Sequence, residues 1–152
     1  MHSLYSEVMD LLCAEDEALH HNFQNSSFTA TTVNYGPYSV CNDHTDSHNL
    51  PFGWCVVNAA GNFDLKHGGH LVLWDLGIAI EFSPGACIFL PSALLVHSNV
   101  AIQKGEERYS FTSYSAGVLF RWVGYGCQSE ASYMEEMTTE EQKKWKEDRA
   151  EA

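Results

Sequence analysis

Residues 41–49 read Cys-Asn-Asp-His-Thr-Asp-Ser-His-Asn, which places a histidine and an aspartate two positions apart, at His44 and Asp46. Side chains two positions apart on a strand project to the same side, so both can reach one ion. A third candidate ligand, His97, ends the apolar run of residues 94–97. Two imidazoles and one carboxylate on one face of a metal suit non-haem Fe(II) oxygenases. We therefore predict that the strands between Asp46 and His97 bring the three ligands together.

The sequence around this stretch is typical of a β-rich domain. Runs of β-branched and aromatic residues alternate with Gly, Pro, Asn and Asp turns. A short strand around 38–41 is expected to deliver the His44 segment. The other predicted strands are 28–34, 53–59, 70–74, 78–82, 86–90, 108–114 and 118–123, the last two as a pair. Many short strands at near-regular spacing indicate a sandwich or barrel.

The two ends of the chain differ from the middle. Residues 3–22 predict an amphipathic helix with Ser3 as its N-cap, and 139–150 predict a surface helix. We therefore divide the chain into an N-terminal helix (1–27), a β core (28–128) and an acidic C-terminal helical tail (129–152). The predicted class is mainly β (α+β).

Charge and cysteine usage limit the function classes. The net charge is −12, and residues 28–129 carry only four bases, with no basic stripe. Because phosphate contacts supply most of the affinity for DNA, composition alone argues against tight nucleic-acid binding. No transmembrane run or signal peptide is expected. Five cysteines without a Cys-x-x-Cys motif are interpreted as free thiols in a reducing, intracellular compartment.

Arg108 and Ser110 form a second constellation, eleven residues after His97. Two positions apart on a predicted strand, they share a face. A guanidinium and a hydroxyl together suit a carboxylate. We predict that a dicarboxylate co-substrate chelates the metal at one end and is held by Arg108 and Ser110 at the other.

These motifs together resemble a known family. The sequence His44-Thr-Asp46-Ser-His-Asn49, followed by His97, Arg108-Tyr-Ser110 and Tyr114, is similar to the TET/JBP branch of the 2-oxoglutarate- and Fe(II)-dependent dioxygenases. Residues 31–126 resemble the TET-like oxygenase domains of mushroom-forming fungi.

The resemblance implies a fold, two cofactors and a site. The fold is a double-stranded β-helix (jelly roll) with flanking helices. The implied ligands of Fe(II) are His44, Asp46 and His97. Arg108 and Ser110 would bind 2-oxoglutarate, which becomes succinate and CO2 with O2 as co-substrate.

The resemblance also implies a substrate. Asn49 and Tyr114 would contact a flipped or single-stranded base, and the reaction would oxidise 5-methylcytosine in DNA to 5-hydroxymethylcytosine and beyond. A nuclear location would follow. The chain departs from the animal enzymes at Ala116, where they carry a histidine, and its acidity suggests an auxiliary DNA-binding partner.

Alternatives remain open at this level. Gly85, Pro91 and His97 partly fit the second motif of the cupins, so a cupin-like or small-molecule oxygenase on the same fold is one of them. Another is a non-catalytic interaction module. A zinc site would use a different set of histidines, namely His44, His48, His67 and His70. Three tryptophans, Trp54, Trp74 and Trp122, are expected in the core.

Overall fold

The structure is a computed structural model that describes residues 2–151, with side chains described for 2–149. Residues 1 and 152, the outer limits of the predicted terminal segments, lie outside it. The helices are α1 (His2–Glu15), α2 (Gly117–Gly124), α3 (Glu130–Glu135) and α4 (Thr139–Glu151). The strands are β1 (Ala30–Asn34), β2 (Cys55–Asn62), β3 (Leu71–Leu73), β4 (Ile78–Ile80), β5 (Cys87–Leu90), β6 (His97–Asn99) and β7 (Glu107–Tyr114). None of the described helices is long and apolar enough to cross a membrane.

Two antiparallel sheets form the body of the molecule. One has the strand order β1-β7-β2-β5 and the other the order β4-β3-β6. The core lies between them, with Cys55, Ala59 and Leu90 from the first sheet against Leu71 and Leu73 from the second. The predicted mainly β class with flanking helices is therefore confirmed.

Strand β7 is the centre of the larger sheet and pairs with β1 on one side and β2 on the other. Because side chains alternate across a strand, Arg108 and Ser110 both point into the buried side of this sheet. Ser110 is paired with Asn34 on one neighbour and Ala59 on the other. The prediction that Arg108 and Ser110 share a face is confirmed by this register.

The segment around His44 is more irregular than predicted. The expected strand at 38–41 is reduced to one bridge between Tyr38 and Arg108. His44 makes a single antiparallel bridge to His97 at the edge of β6, and Asp46 follows in a loop. The prediction that His44 and Asp46 share a strand was wrong, because turn-forming Asn, Asp and Ser residues interrupt the pairing.

The N-terminal helix is shorter than predicted, since it covers His2–Glu15 rather than residues 3–22. At its end the carboxylate of Asp16 accepts the backbone N–H of Ala18, 2.9 Å away. This local bond competes with helix continuation, and the acids Glu15, Asp16 and Glu17 are unfavourable at the negative end of the helix dipole. Residues 16–27 form turns and irregular backbone, so the predicted helical unit 1–27 is helical only in its first half.

Residues 118–123, predicted as the last strand, form helix α2 instead. Both edges of β7, the predicted partner, are already occupied by β1 and β2, so the apolar run cannot pair with it. It packs against α1, where the rings of Phe120 and Tyr5 lie 5.5 Å apart. Short apolar runs do not distinguish strand from helix by periodicity, and pairing decided the outcome.

The tryptophan prediction was also wrong. Trp54, Trp74 and Trp122 are 44%, 53% and 42% exposed, respectively. Trp74 begins a short 3-10 helix (Trp74–Leu76) after β3, and Trp122 lies on the helix that replaced the predicted strand. Their size and amphipathic rings allow partial burial at element ends.

The C-terminal tail is helical, as predicted, and contains α3 in addition to α4. Thr138 and Glu141 form a capping box, in which the Glu141 carboxylate accepts the backbone N–H of Thr138 at 2.8 Å. That bond lowers the pKa of Glu141.

Candidate functional site

One cavity of about 400 Å³ opens between the two sheets. Every site residue predicted from the sequence lines it. These residues are His44, Asp46, Asn49, His97, Arg108, Ser110 and Tyr114. Residues more than sixty positions apart in sequence therefore meet in one place.

Three of the residues that line the cavity form a cluster of potential metal ligands. One ligand atom each from His44, Asp46 and His97 lies within 4.8 Å of the others. His44 Nε2 is 3.6 Å from Asp46 Oδ1, and the two imidazole rings are 4.4 Å apart and tilted by 46°. Within the part of the chain that the structure describes, this is the group suited to a metal ion.

Both histidines are oriented by a hydrogen bond from the ring to a backbone carbonyl two residues earlier. The Nδ1 atom of His44 lies 2.7 Å from the carbonyl of Asn42, and that of His97 lies 2.8 Å from the carbonyl of Leu95. A carbonyl accepts, so each Nδ1 carries the proton and each Nε2 keeps its lone pair. Histidines that bind metals are commonly fixed by this kind of bond.

Backbone bonds hold the two histidines side by side. His44 N–H donates to His97 O at 3.0 Å, and His97 N–H donates to His44 O at 2.9 Å. On the other side of β6, Trp74 Nε1 donates to Ser98 Oγ, and Asp75 accepts the N–H of Val96. The 3-10 helix thus restrains the strand that carries His97.

Asn49 supports the carboxylate of the cluster. Its Nδ2 atom is 3.4 Å from Asp46 Oδ2 and 3.2 Å from Ser92 Oγ. Asp46 is also held through its backbone N–H, which donates to Ser92 O at 2.9 Å. Asn49 Oδ1 makes no hydrogen bond within the described residues and is left as an acceptor on the cavity wall.

Arg108 is a buried cation with no anionic partner among the described residues. It is only 3% exposed, and the one hydrogen bond that its side chain makes within that part of the chain runs from Nη1 to the carbonyl of Ser39 at 3.2 Å. Its Nε atom and the neighbouring Ser39 Oγ have no partner within the described residues. Burial lowers the pKa of Arg108. An unsatisfied buried guanidinium is costly unless an anion pairs with it, and Arg108 also lines the cavity.

The remaining predicted residues complete the wall. Asn34 Nδ2 donates to Ser110 Oγ at 3.0 Å, which leaves the Ser110 hydroxyl proton available for an acceptor in the cavity. Tyr114 Oη and Thr32 Oγ1 are 3.3 Å apart.

Sequence reasoning missed several lining residues, including Thr32, Asn34, Cys41 and Asn99. Thr32 and Asn34 alternate on β1, which pairs with β7. The register pairs Asn34 with Ser110 and Thr32 with Thr112, so alternation would have placed both on the cavity side of the sheet if that pairing had been anticipated. Cys41 and Asn99 carried no comparable signal, because their positions depend on irregular backbone.

The zinc alternative finds no support in the geometry. His67 is exposed, and its Nδ1 lies 2.7 Å from Asp64 Oδ2. That bond lowers the pKa of Asp64. Of the four histidines in that alternative, only His44 belongs to a group within ligand distance among the described residues.

Comparison with known proteins identifies the fold. No family model and no curated protein matches the sequence. Among solved structures, NgTET1 in complex with 5mC DNA is similar, with a TM-score of 0.55 and 19% identity. The similarity covers 73% of this chain and 42% of that one, so this chain spans less than half of that protein.

A second similar structure is the viral collagen prolyl hydroxylase vCPH from Paramecium Bursaria Chlorella virus-1, in a 2OG complex. Its TM-score is 0.41 and its identity 13%, over 72% of this chain and 69% of that one. The chain has the double-stranded β-helix fold of the 2-oxoglutarate- and Fe(II)-dependent oxygenases, as predicted.

Proposed function

We propose that this protein is an Fe(II)- and 2-oxoglutarate-dependent dioxygenase that oxidises the methyl group of a modified base, 5-methylcytosine in DNA, to 5-hydroxymethylcytosine and beyond. One observation carries the proposal. A His-Asp-His cluster and a buried, unsatisfied Arg108 face the same cavity. A protein that only binds a metal has no use for a buried arginine beside the site, and a protein that only binds a carboxylate has no use for the His-Asp-His cluster. The two together suit a metal-dependent enzyme with a carboxylate co-substrate.

The donor set fits Fe(II). His44 and His97 offer neutral Nε2 atoms, and Asp46 offers a carboxylate held by Asn49. Two imidazoles and one carboxylate leave further coordination positions open. Bound there, iron would supply activation of O2 for hydroxylation, while the protein supplies placement and exclusion of water.

The anion site fits 2-oxoglutarate. The Arg108 guanidinium would pair with the distal carboxylate, and the Ser110 hydroxyl would donate a second hydrogen bond to it. Burial strengthens such a pair, because little water competes for the carboxylate. The orientation of the co-substrate would then be set by β7, a strand fixed by neighbours on both sides.

Asn49 and Tyr114 would read the base. Cytosine presents an amino group, a donor, where thymine presents a carbonyl, an acceptor. The free acceptor Asn49 Oδ1 therefore suits cytosine. Tyr114, which lines the same cavity, offers an aromatic ring for the flipped base. The complex of NgTET1 with 5mC DNA supports this choice of substrate.

The family assignment belongs to the proposal as well. We place the chain with the TET-like oxygenases of the TET/JBP branch, of the kind found in mushroom-forming fungi. A nuclear location and an auxiliary DNA-binding partner follow from a DNA substrate and a chain of net charge −12.

The test is anaerobic reconstitution with Fe(II) and 2-oxoglutarate, followed by air and DNA containing 5-methylcytosine. Succinate and oxidised nucleosides are measured by mass spectrometry. Asp46→Ala is the inactive variant and Asp43→Ala its matched control, since Asp43 is an exposed acid of the same loop outside the metal cluster. We expect both products in the wild type and in Asp43→Ala, and neither in Asp46→Ala.

A small-molecule oxygenase on the same fold is the second candidate. The acidic charge favours it, because a cavity of about 400 Å³ accepts a free base or nucleoside without phosphate contacts. Succinate formed without oxidised DNA would support this candidate. The absence of both products, together with no bound iron, would support a non-catalytic interaction module.

A further inference from the structure

Cys41 differs from the other four cysteines, because it alone among them lines the cavity. It is half-buried, whereas Cys55 is buried in the core and Cys87 is exposed on β5. Burial raises the pKa of the Cys55 thiol, which keeps it protonated and unreactive. Cys41 is thus the thiol that a ligand in the cavity can meet.

The backbone of Cys41 is fixed by Asn99 on β6. Cys41 N–H donates to Asn99 Oδ1 at 2.7 Å, and Asn99 N–H donates to Cys41 O at 3.3 Å. Asn99 Nδ2 also donates to Ser39 O at 3.1 Å. Residues 39–41 are therefore held against the strand that carries His97, and the thiol is presented from a restrained position.

A second observation points to an anionic ligand beside this thiol. Arg108 is more than nine-tenths buried and lines the same cavity, and its Nε atom has no hydrogen-bond partner among the described residues. A negative charge on Cys41 would raise the pKa of Arg108, so the two groups are within electrostatic reach of one another. The same Ser39 carbonyl accepts from Arg108 Nη1 and from Asn99, which ties the two positions together.

We propose that Cys41 is a covalent capture site for an α,β-unsaturated dicarboxylate that Arg108 anchors by one carboxylate. The thiolate sulfur attacks the carbon β to a carboxylate, and a sulfur–carbon bond forms as the carbon–carbon π bond breaks. The electron pair moves to the neighbouring carbon, which takes a proton from water. The thiol proton has left to solvent beforehand. Nothing is oxidised or reduced, and no group leaves.

The resulting thioether would occupy the co-substrate end of the cavity. Its carboxylate would satisfy Arg108 and would stay after free ligand is removed. The proposal shares Arg108 with the proposed function, but it needs neither iron nor oxygen. A chain that never oxidised DNA could still show it, and an active oxygenase could lack it.

The experiment uses metal-free protein and fumarate as the probe. Adducts at Cys41 and Cys87 are followed over time by peptide mass spectrometry, with the exposed Cys87 as the reference thiol in the same molecule. Anchoring raises the local concentration of the electrophile, so we expect labelling of Cys41 at least about tenfold faster than of Cys87. Excess succinate, a saturated dicarboxylate, should slow labelling of Cys41 and leave Cys87 unchanged.

Two comparisons isolate the anchor. Dimethyl fumarate, an uncharged ester of the same alkene, should lose the preference for Cys41. Arg108→Met should slow the labelling of Cys41 by fumarate to the rate seen at Cys87. The same substitution should not change the rate at which dimethyl fumarate labels Cys41. Equal fumarate rates at the two cysteines, or labelling of Cys41 that succinate does not slow, would overturn the proposal. Both of these readouts use wild-type protein, so they stand even if Arg108→Met fails to fold.

Discussion

At the scale of single residues, backbone carbonyls hold the imidazoles of His44 and His97 in the orientation that the proposed metal site needs. His44 and His97 each direct Nδ1–H to a carbonyl two residues earlier in the chain. These local hydrogen bonds favour the tautomer with the proton on Nδ1, which leaves Nε2 as the ligand atom.

We expect His97→Gln to lower Fe(II) affinity by at least about 100-fold, because one of three ligands is lost. His67→Gln is the matched control, since His67 is exposed and bonded to Asp64. Titration with Fe(II) under anaerobic conditions measures both variants. Equal affinity for His97→Gln and wild type would remove His97 from the site.

Arg108→Lys should raise the KM for 2-oxoglutarate by roughly 10- to 100-fold, with a smaller change in kcat. A lysine keeps the charge but loses the planar fork that pairs with a carboxylate, and bonds of this kind contribute about 1.5–3 kcal/mol. Arg121→Lys, on the exposed face of α2, controls for the substitution itself. Succinate formation at varied co-substrate concentration separates the two kinetic constants, and an unchanged KM would exclude Arg108 as the anchor.

At the scale of elements, Gly61 fixes how closely β2 and β7 approach at Arg108. Gly61 is paired with Arg108 and has a φ of +122°. A Cβ there would clash with the backbone carbonyl of Glu107, and the paired strand leaves that carbonyl little room to move. Glycine at this position therefore lets β2 continue to Asn62, beyond residue 59, where the predicted strand ends.

Gly61→Ala should cost about 3 kcal/mol or more in the free energy of unfolding, from strain and overpacking together. Gly105→Ala is the control, because its φ of +91° is equally left-handed but nothing lies within 4 Å of the added Cβ. We expect about 1 kcal/mol for the control, from backbone strain alone. Urea unfolding of both variants measures the difference. A similar loss of unfolding free energy in the two variants would contradict the close approach of β2 and β7 at Gly61.

Helix α1 is joined to the sheet through one buried phenol. Tyr5 Oη donates to Trp54 O at 3.1 Å and accepts Trp54 N–H at 2.8 Å. Burial raises the pKa of Tyr5. The neutral phenol is thus favoured in the folded state, and its contribution to stability is complete below about pH 10 and lost as pH rises further.

Tyr5→Phe should lower stability by about 1–3 kcal/mol near neutral pH, because two backbone groups of Trp54 lose their partner. Above about pH 10 the variant should lose stability less steeply than the wild type. Chemical denaturation at a series of pH values measures both effects. Parallel curves for the two proteins would contradict the role given to the phenol.

At the scale of the whole molecule, the charge distribution leaves few exposed bases that could contact the phosphates of DNA. Of the four bases in residues 28–129, Lys66 is paired with Glu81 at 2.9 Å and Arg108 is buried. Lys104 and Arg121 remain exposed. Large DNA-binding surfaces use many more contacts.

We therefore expect the isolated chain to bind duplex DNA with a Kd weaker than about 10 µM at physiological salt. The slope of log affinity against log salt should correspond to about two phosphate contacts. Fluorescence anisotropy over a salt series tests this. A slope that corresponds to many phosphate contacts would contradict this expectation, because the free chain exposes too few bases to make them.

Segments whose conformation is determined by local sequence were predictable, and segments determined by tertiary contacts were not. The alternating, β-branched strands and the pairing of Arg108 with Ser110 on one face followed from local sequence. Residues 118–123 did not, because their conformation depended on whether β7 still had a free edge. The contacts of Cys41 with Asn99 were not predictable either, since they join irregular segments through side chains.

The bridge between His44 and His97 has a consequence for the lifetime of the chain. In the unfolded state His44 and Asp46 remain neighbours, but His97 is about fifty residues away, so the full ligand set exists only after folding. An ion that binds the folded state alone adds about 2.7 kcal/mol at a free concentration 100 times its Kd. Scarcity of that ion would raise the unfolded fraction and expose the chain to proteolysis, so that metal supply would regulate abundance as well as activity.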